Sequence, residues 1–237
     1  MEWPLGARTR ALLALAHPGP SAATVLVALL FMVLLARGRP PGDKLAPVAL
    51  MLSCQQVAIS LHNDYCDRAL DAAAKPWRAV PSGAASARGV LAGAWLLAAL
   101  SLAFAVLVNW TEALLDLIGL AAGFGYNASL KRTALSWLPF AIAFPLLPIF
   151  GAVALGSPLL SPWVVAGCFA AGAPIAVAIH LADTLPDLTS DLHAGVRGVA
   201  HRLGARWSRR LCLALFVLGG TALCVLAALV RQRSLLA

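Results

Sequence analysis

The sequence predicts an all-α protein, a polytopic transmembrane helical bundle of about seven spans. Three observations carry that prediction. Of 237 residues, 61% are hydrophobic and only 12% charged, with a mean hydropathy of +0.84, far more apolar surface than a soluble domain of this size has a core to absorb. Apolar runs close to the roughly 20 residues that cross hydrocarbon as helix fall at 21–36, 45–62, 89–109, 112–129, 134–155, 163–182 and 210–230. Alternation at period two is absent, which argues against a membrane barrel.

Residues 1–20, with Trp3, Arg8, Arg10, Pro4, Pro18 and Pro20, read as an interfacial lead-in without chemistry, and residues 21–237 as a single transmembrane domain. No secretory cleavage signal precedes the first run, so it is expected to be retained. RGRPPGDK, from Arg37 to Lys44, is a short turn rich in proline and glycine. The second run ends at His62 and passes directly into a burst of charge. A tight turn at 109–112, with Trp110 at headgroup level, joins the third and fourth runs. The fifth holds Pro139, Pro145 and Pro148, so it is expected to kink or re-enter, since neighbouring helices satisfy backbone groups that proline frees.

The formal charge of +8 raises the question of nucleic acid, and the placement of the basic residues answers it. With the N-terminus inside, thirteen of the eighteen Lys and Arg fall on one side of the threading. Arg37, Arg39, Lys44, Arg231 and Arg233 fall on the other. The positive-inside rule therefore orients the rich loops to the cytoplasm, with lipid headgroups and diphosphates as the expected anions and no nucleic acid. Cys54, Cys66, Cys168, Cys212 and Cys224 are scattered without the close pairing of a zinc or redox motif and read as packing residues.

The charge burst, HNDYCDRALDAAAKPWRAVPSG, runs from His62 to Gly83. Asp64, Asp67 and Asp71 are spaced by three and four, so on a helix they share a face. Pro76, Pro81 and Gly83 break any helix that follows, leaving Lys75 and Arg78 in an irregular segment able to fold back over the acids. A second cluster, HLADTLPDLTSDLHAGVRG, places Asp183, Asp187 and Asp191 at intervals of four, with Pro186 resetting the helix between them. Six of the ten acidic residues thus lie in two clusters on the same side of the threading, at the ends of the second and sixth runs. Tyr126, Asn127, Lys131 and Arg132 emerge on that side from the fourth run. Solvated surface charge would not segregate in this way.

Carboxylates and an amide oxygen are hard donors, and a few of them with spare positions suit Mg²⁺ shared with substrate phosphates. Beside basic residues and an apolar interior, they fit a diphosphate carried on a hydrocarbon tail. The metal would neutralise the leaving diphosphate, Lys and Arg would strengthen their hold as charge moves onto it, and a dry cavity would shelter the allylic cation.

These residues resemble the UbiA superfamily of intramembrane prenyltransferases. Asn63-Asp64-x-x-Asp67-x-x-x-Asp71 looks like its first signature, and Asp187-x-x-x-Asp191 followed by Gly195 like its second. Residues 77–83, WRAVPSG, are similar to its Arg-Pro-x-x-Ser-Gly segment, and Tyr126 with Lys131 to its tyrosine-to-lysine motif; together these cover about 45–210. The resemblance implies a Mg²⁺-dependent transfer of a prenyl group from a prenyl diphosphate to a hydrophobic, aromatic acceptor, such as a quinone, lipid or pigment precursor. It implies metal and diphosphate contacts at Asn63, Asp67, Asp71, Asp183, Asp187 and Asp191. Diphosphate contacts are implied at Arg78 and Lys131, joined by Lys75, Arg132 and Arg197. Tyr126 would face the allyl cation or the diphosphate. Asp64 remains open between metal contact, hydrogen-bond support and base toward the acceptor.

Two departures stand out. Ala79 occupies the usual place of proline after the arginine, which loosens the loop that positions Arg78. Seven runs fall short of the family's eight or nine helices, so the bundle is expected to be UbiA-like without the last one or two, its cavity closed by lipid, an oligomer or a partner subunit. Two rivals remain: a UbiA-type terpene cyclase, and a cation transporter lined by carboxylates. Acids gathered at one face rather than the midplane, without paired interrupted helices, speak against the transporter.

Overall fold

The computed structural model describes residues 5–193 and 195–236; Trp3 and Pro4 lie outside the described residues, as do the side chains of Ser190, Asp191 and His193. The described residues contain helices and no strand. The chain divides into two compact units, 1–128 and 129–237.

In the first unit, α1 (Leu5–Ala14) leads through a sharp corner into α2 (Pro18–Leu35), whose opening proline has the fixed φ suited to a first helical turn. Arg37 and Gly38, at φ 52 and 85, end α2, with the Gly38 amide donating back to Val33 O at 2.8 Å. The next helix, α3 (Gly42–Ala74), is 33 residues long. It therefore carries the second apolar run and, without interruption, all three aspartates of the first cluster. The Lys75 amide closes its last turn on Asp71 O, and Pro76 stops it. Ser86 caps α4 (Ala87–Val108) by accepting from the Gly89 amide at 3.1 Å, and Asn109 Oδ1 accepts from the Glu112 amide at the start of α5 (Trp110–Ala128).

The three helices α3, α4 and α5 pack on one another around Ala58, Ala98 and Leu120, with Ile59, Leu97, Leu102 and Phe124 at the edges. A polar knot lies within this apolar packing. Asp116 accepts from Gln55 Nε2 at 2.7 Å and from Ser101 Oγ at 2.6 Å, so one carboxylate joins all three helices. Below it, Asn127 Nδ2 donates to Ile59 O at 2.9 Å. Buried polar groups of this kind hold helices together where the surroundings offer no water.

In the second unit, a 3-10 turn (Leu130–Arg132) precedes α6 (Leu138–Ala143) and α7 (Leu146–Ala154). Pro145 separates these two, so the proline-rich fifth run is broken as its sequence predicts. Then come α8 (Pro162–Thr184), α9 (Leu188–His193) and α10 (Val199–Leu236), the last interrupted at Gly204 with φ 73. The long pair α8 and α10 is joined through glycine. A Cβ at Gly219 would lie 2.7 Å from Ala171 O, so only a bare backbone allows that approach.

Five of these helices, α2, α3, α4, α8 and α10, are long and apolar enough to cross a membrane. Their outer faces are apolar, with Leu26, Leu107 and Leu213 each more than 60% exposed, a surface suited to lipid rather than water.

Candidate active site

Within the first unit, α3 supplies the acids and the segment after it supplies the cation. Asp64 and Asp71 are buried, while Asn63 and Asp67 are half-buried on the same helix. After α3 ends, the chain turns back: the Arg78 amide donates to Lys75 O, and the Ser82 amide and hydroxyl both donate to Arg78 O. Gly83 at φ 78 completes the loop, a conformation that glycine adopts freely. The result is that Arg78 Nη1 reaches Asp64 Oδ1 at 2.6 Å and stands 3.7 Å from Asp71 Oδ2. One guanidinium thus sits between two carboxylates seven positions apart, relieving the repulsion that neighbouring like charges create on a helix. Lys75, by contrast, is exposed.

A second donor meets the same oxygen. His17 Nε2 donates to Asp64 Oδ1 at 2.9 Å, from the corner between α1 and α2. Sequence reasoning passed over this residue, having assigned the first twenty no chemistry. The only local sign was a histidine at a proline-flanked corner, which is weak. His17 also holds φ 44 and ψ 60, a left-handed conformation that costs a non-glycine residue on the order of 1 kcal/mol. Arg10, His17 and Arg78 line an open cavity of about 440 Å³, so Arg78 is anchored on one side and accessible on the other.

Tyr126 is half-buried in the last turn of α5. In the second unit, Lys131 is 9% exposed within the 3-10 turn, and Arg132 and Arg197 are exposed. The second acidic cluster does not lie on one continuous helix. α8 stops at Thr184, Asp187 occupies the turn around Pro186, and Asp191 belongs to α9, its side chain outside the described residues. Asp183 and Asp187 are both exposed.

Behind this cluster is a buried contact that the sequence did not reveal. Ser136 Oγ lies 3.0 Å from His180 Nε2 and accepts from the Val199 amide at 2.9 Å, tying the end of α8 to the start of α10. The His180 ring stacks on Phe140 at 4.5 Å. Gly198 fits tightly here, since a Cβ would come within 2.9 Å of Lys131 O and of Ser136 Oγ. Ser136 belongs to no charged cluster, and although His180 opens the second acidic stretch, nothing in the sequence pairs the two.

Among the described residues, no three Asp, Glu, His or Cys side chains converge on a single point that would hold a metal by themselves. The donors present nevertheless fit Mg²⁺. They are hard oxygens, and Mg²⁺ is commonly held by one or two carboxylates with waters and substrate phosphates completing its shell. Arg78 engages a single oxygen of Asp64, leaving Asn63 and Asp67 half-exposed on the same stretch of α3.

Residues 21–237 match the family model of the UbiA prenyltransferase family, a span that contains both acidic clusters, Arg78 and Lys131. The chain belongs to the UbiA prenyltransferase family. A digeranylgeranylglyceryl phosphate synthase from Korarchaeum cryptofilum is 29% identical over 147 residues, 61% of this chain and 50% of that protein, so the match spans half the length of this curated relative. Among solved structures, one titled for the biosynthesis of digeranylgeranylglyceryl phosphate synthase in membranes aligns with a TM-score of 0.73 at 17% identity. It covers 91% of this chain and 76% of its own. A UbiA homologue from Archaeoglobus fulgidus bound to DMAPP and Mg²⁺ aligns with a TM-score of 0.72 at 19% identity, covering 93% of this chain and 77% of its own. These structural likenesses show the fold: a UbiA-like, all-helical membrane bundle.

Proposed function

We propose that this UbiA-family protein transfers a prenyl group from a prenyl diphosphate to a hydrophobic acceptor within the membrane, using Mg²⁺. The observation that carries the reading is the family match across 21–237, which takes in both acidic clusters and the basic residues between them in sequence. The Archaeoglobus homologue bound to DMAPP and Mg²⁺ supports the donor class and the metal.

In this reading Asn63, Asp67, Asp71, Asp183, Asp187 and Asp191 hold Mg²⁺ and, through it, the diphosphate. The metal supplies charge neutralisation of the leaving group. Arg78 and Lys131, with Lys75, Arg132 and Arg197, donate to the diphosphate oxygens as negative charge accumulates on them. Asp64, held by Arg78 and His17, supports those two side chains rather than the metal. Tyr126 faces the allylic carbon. Residues 21–237 act as one domain, with the acidic ends of α3 and α8 facing the cytoplasm, as the thirteen-to-five division of basic residues supports.

The acceptor is proposed to be aromatic. A second acceptor class, a glyceryl phosphate lipid, is favoured by the likeness to digeranylgeranylglyceryl phosphate synthases. The deciding experiment is incubation of the purified protein in lipid with Mg²⁺, radiolabelled prenyl diphosphates of several lengths and either an aromatic or a glyceryl phosphate acceptor, followed by mass analysis. A prenylated acceptor is expected. Diphosphate release with a cyclised hydrocarbon and no acceptor product would make the protein a cyclase, and Mg²⁺ flux without diphosphate release would make it a transporter. Asp67→Ala and Asp191→Ala each should abolish turnover while the protein still inserts; wild-type activity in both would end the assignment.

A further inference from the structure

We infer that the corner between α1 and α2 is a strap that positions Arg78, with His17 as its polar contact and Leu15 as its apolar one. Leu15 is buried and packs in one cluster with Ala79, Ala84 and Val90, so the residue directly after Arg78 is covered by the N-terminal segment. Two residues further on, His17 donates to the very oxygen of Asp64 that Arg78 donates to. The loop that carries Arg78 is thereby held directly, by Leu15 against Ala79 and Ala84, and indirectly, by His17 through the Asp64 carboxylate that Arg78 binds.

The need for such a grip follows from the loop itself. Between Ala74 and Ser86 the chain forms turns and no helix, and Ala79 has none of the backbone stiffness that proline would bring. An arginine on a loose loop loses rotamer and backbone freedom on binding an anion, which weakens binding. A guanidinium already fixed by a buried carboxylate, itself fixed from the other side, loses less. His17 further sits in a left-handed conformation, which glycine adopts at lower cost. The corner's own hydrogen bonds, Ser21 N to His17 O at 3.1 Å and Ser21 Oγ to Ala16 O at 2.7 Å, hold that geometry. His17 is in this view a positioning residue that acts through Asp64, and the inference rests on the reading that Arg78 meets the diphosphate.

The test uses the full chain in lipid nanodiscs, comparing wild type with His17→Gly and His17→Gln. Glycine removes the donor and relaxes the backbone; glutamine restores an N–H of similar reach. Two properties are measured: binding of an unreactive geranyl thiolodiphosphate with Mg²⁺, and amide exchange in 78–85, where Ser82, Gly83 and Ala85 donate to Arg78, Val80 and Ala79. For His17→Gly, faster exchange in this loop and affinity weaker on the order of tenfold are expected, with no loss of thermal stability. For His17→Gln, both properties should return to near wild type. Wild-type exchange and affinity in His17→Gly would overturn the strap, as would glutamine failing to restore either. Absence of analogue binding by wild type would instead count against the proposed function, and loop exchange would still decide the strap.

Discussion

Asp64 accepts from both Arg78 and His17 on a single oxygen while 5% exposed, and that fact narrows what the residue can do. A carboxylate engaged in this way is an anchor for its partners, and removing it leaves Arg78 with Asp71 as its remaining anionic neighbour, at 3.7 Å. Asp64→Ala should therefore raise the KM for the prenyl diphosphate on the order of tenfold or more, with Asp64→Asn intermediate because an amide oxygen still accepts. Steady-state kinetics on both variants check this, and an unchanged KM in Asp64→Ala would overturn its anchoring role. Lys131, nearly buried in its 3-10 turn, is a second single-residue test. Lys131→Ala should weaken donor binding while leaving the melting temperature nearly unchanged. Unchanged donor affinity would remove it from the site.

At the scale of the helix, close packing sets different requirements at neighbouring positions. Gly219 and Gly220 are adjacent in α10, yet a Cβ at the first would meet the Ala171 carbonyl oxygen at 2.7 Å, and a Cβ at the second would meet nothing within 4 Å. Gly219→Ala must push α10 from α8 and should cost about 1–3 kcal/mol, since backbone cannot yield as a flexible side chain does. Gly220→Ala should be neutral or stabilising by about 0.5–1 kcal/mol, because alanine favours helix. Thermal unfolding in detergent distinguishes them; equal effects would refute the packing argument. The polar knot of the first unit makes a parallel case. Asp116→Ala removes the acceptor shared by Gln55 and Ser101 and should destabilise by about 1–3 kcal/mol, whereas Asp116→Asn, which keeps an acceptor oxygen, should cost less.

For the whole molecule, the proposals concern metal and membrane sidedness. Chelation with EDTA should abolish prenyl transfer, and added Mg²⁺ should restore it, because the carboxylates would otherwise repel the diphosphate they are proposed to hold. Activity surviving chelation would exclude the metal role. Cysteines introduced at the exposed positions Arg88 and Arg39 should react with an impermeant maleimide from opposite sides of the membrane, Arg88→Cys from the cytoplasm. Labelling of both from one side would overturn the threading. Much of this architecture was legible beforehand. Hydrocarbon demands long apolar segments, so composition and run length alone disclosed an all-helical bundle, and the prolines of 134–155 disclosed its broken element. Charge is costly near lipid, so the acids and bases that persist there, from Asn63 to Arg78 and from Asp183 to Arg197, stood out without any coordinates. What the sequence could not yield were contacts between segments distant along the chain. That His17 reaches Asp64 across 47 positions to share its oxygen with Arg78, that Ser136 joins His180 to Val199, and that Asp116 ties three helices together all depend on packing, in which residues acquire meaning from whichever backbone lies beside them. Periodicity and charge are properties of a segment and can be read from it; a shared hydrogen bond is a property of two segments, and only their folded juxtaposition decides it.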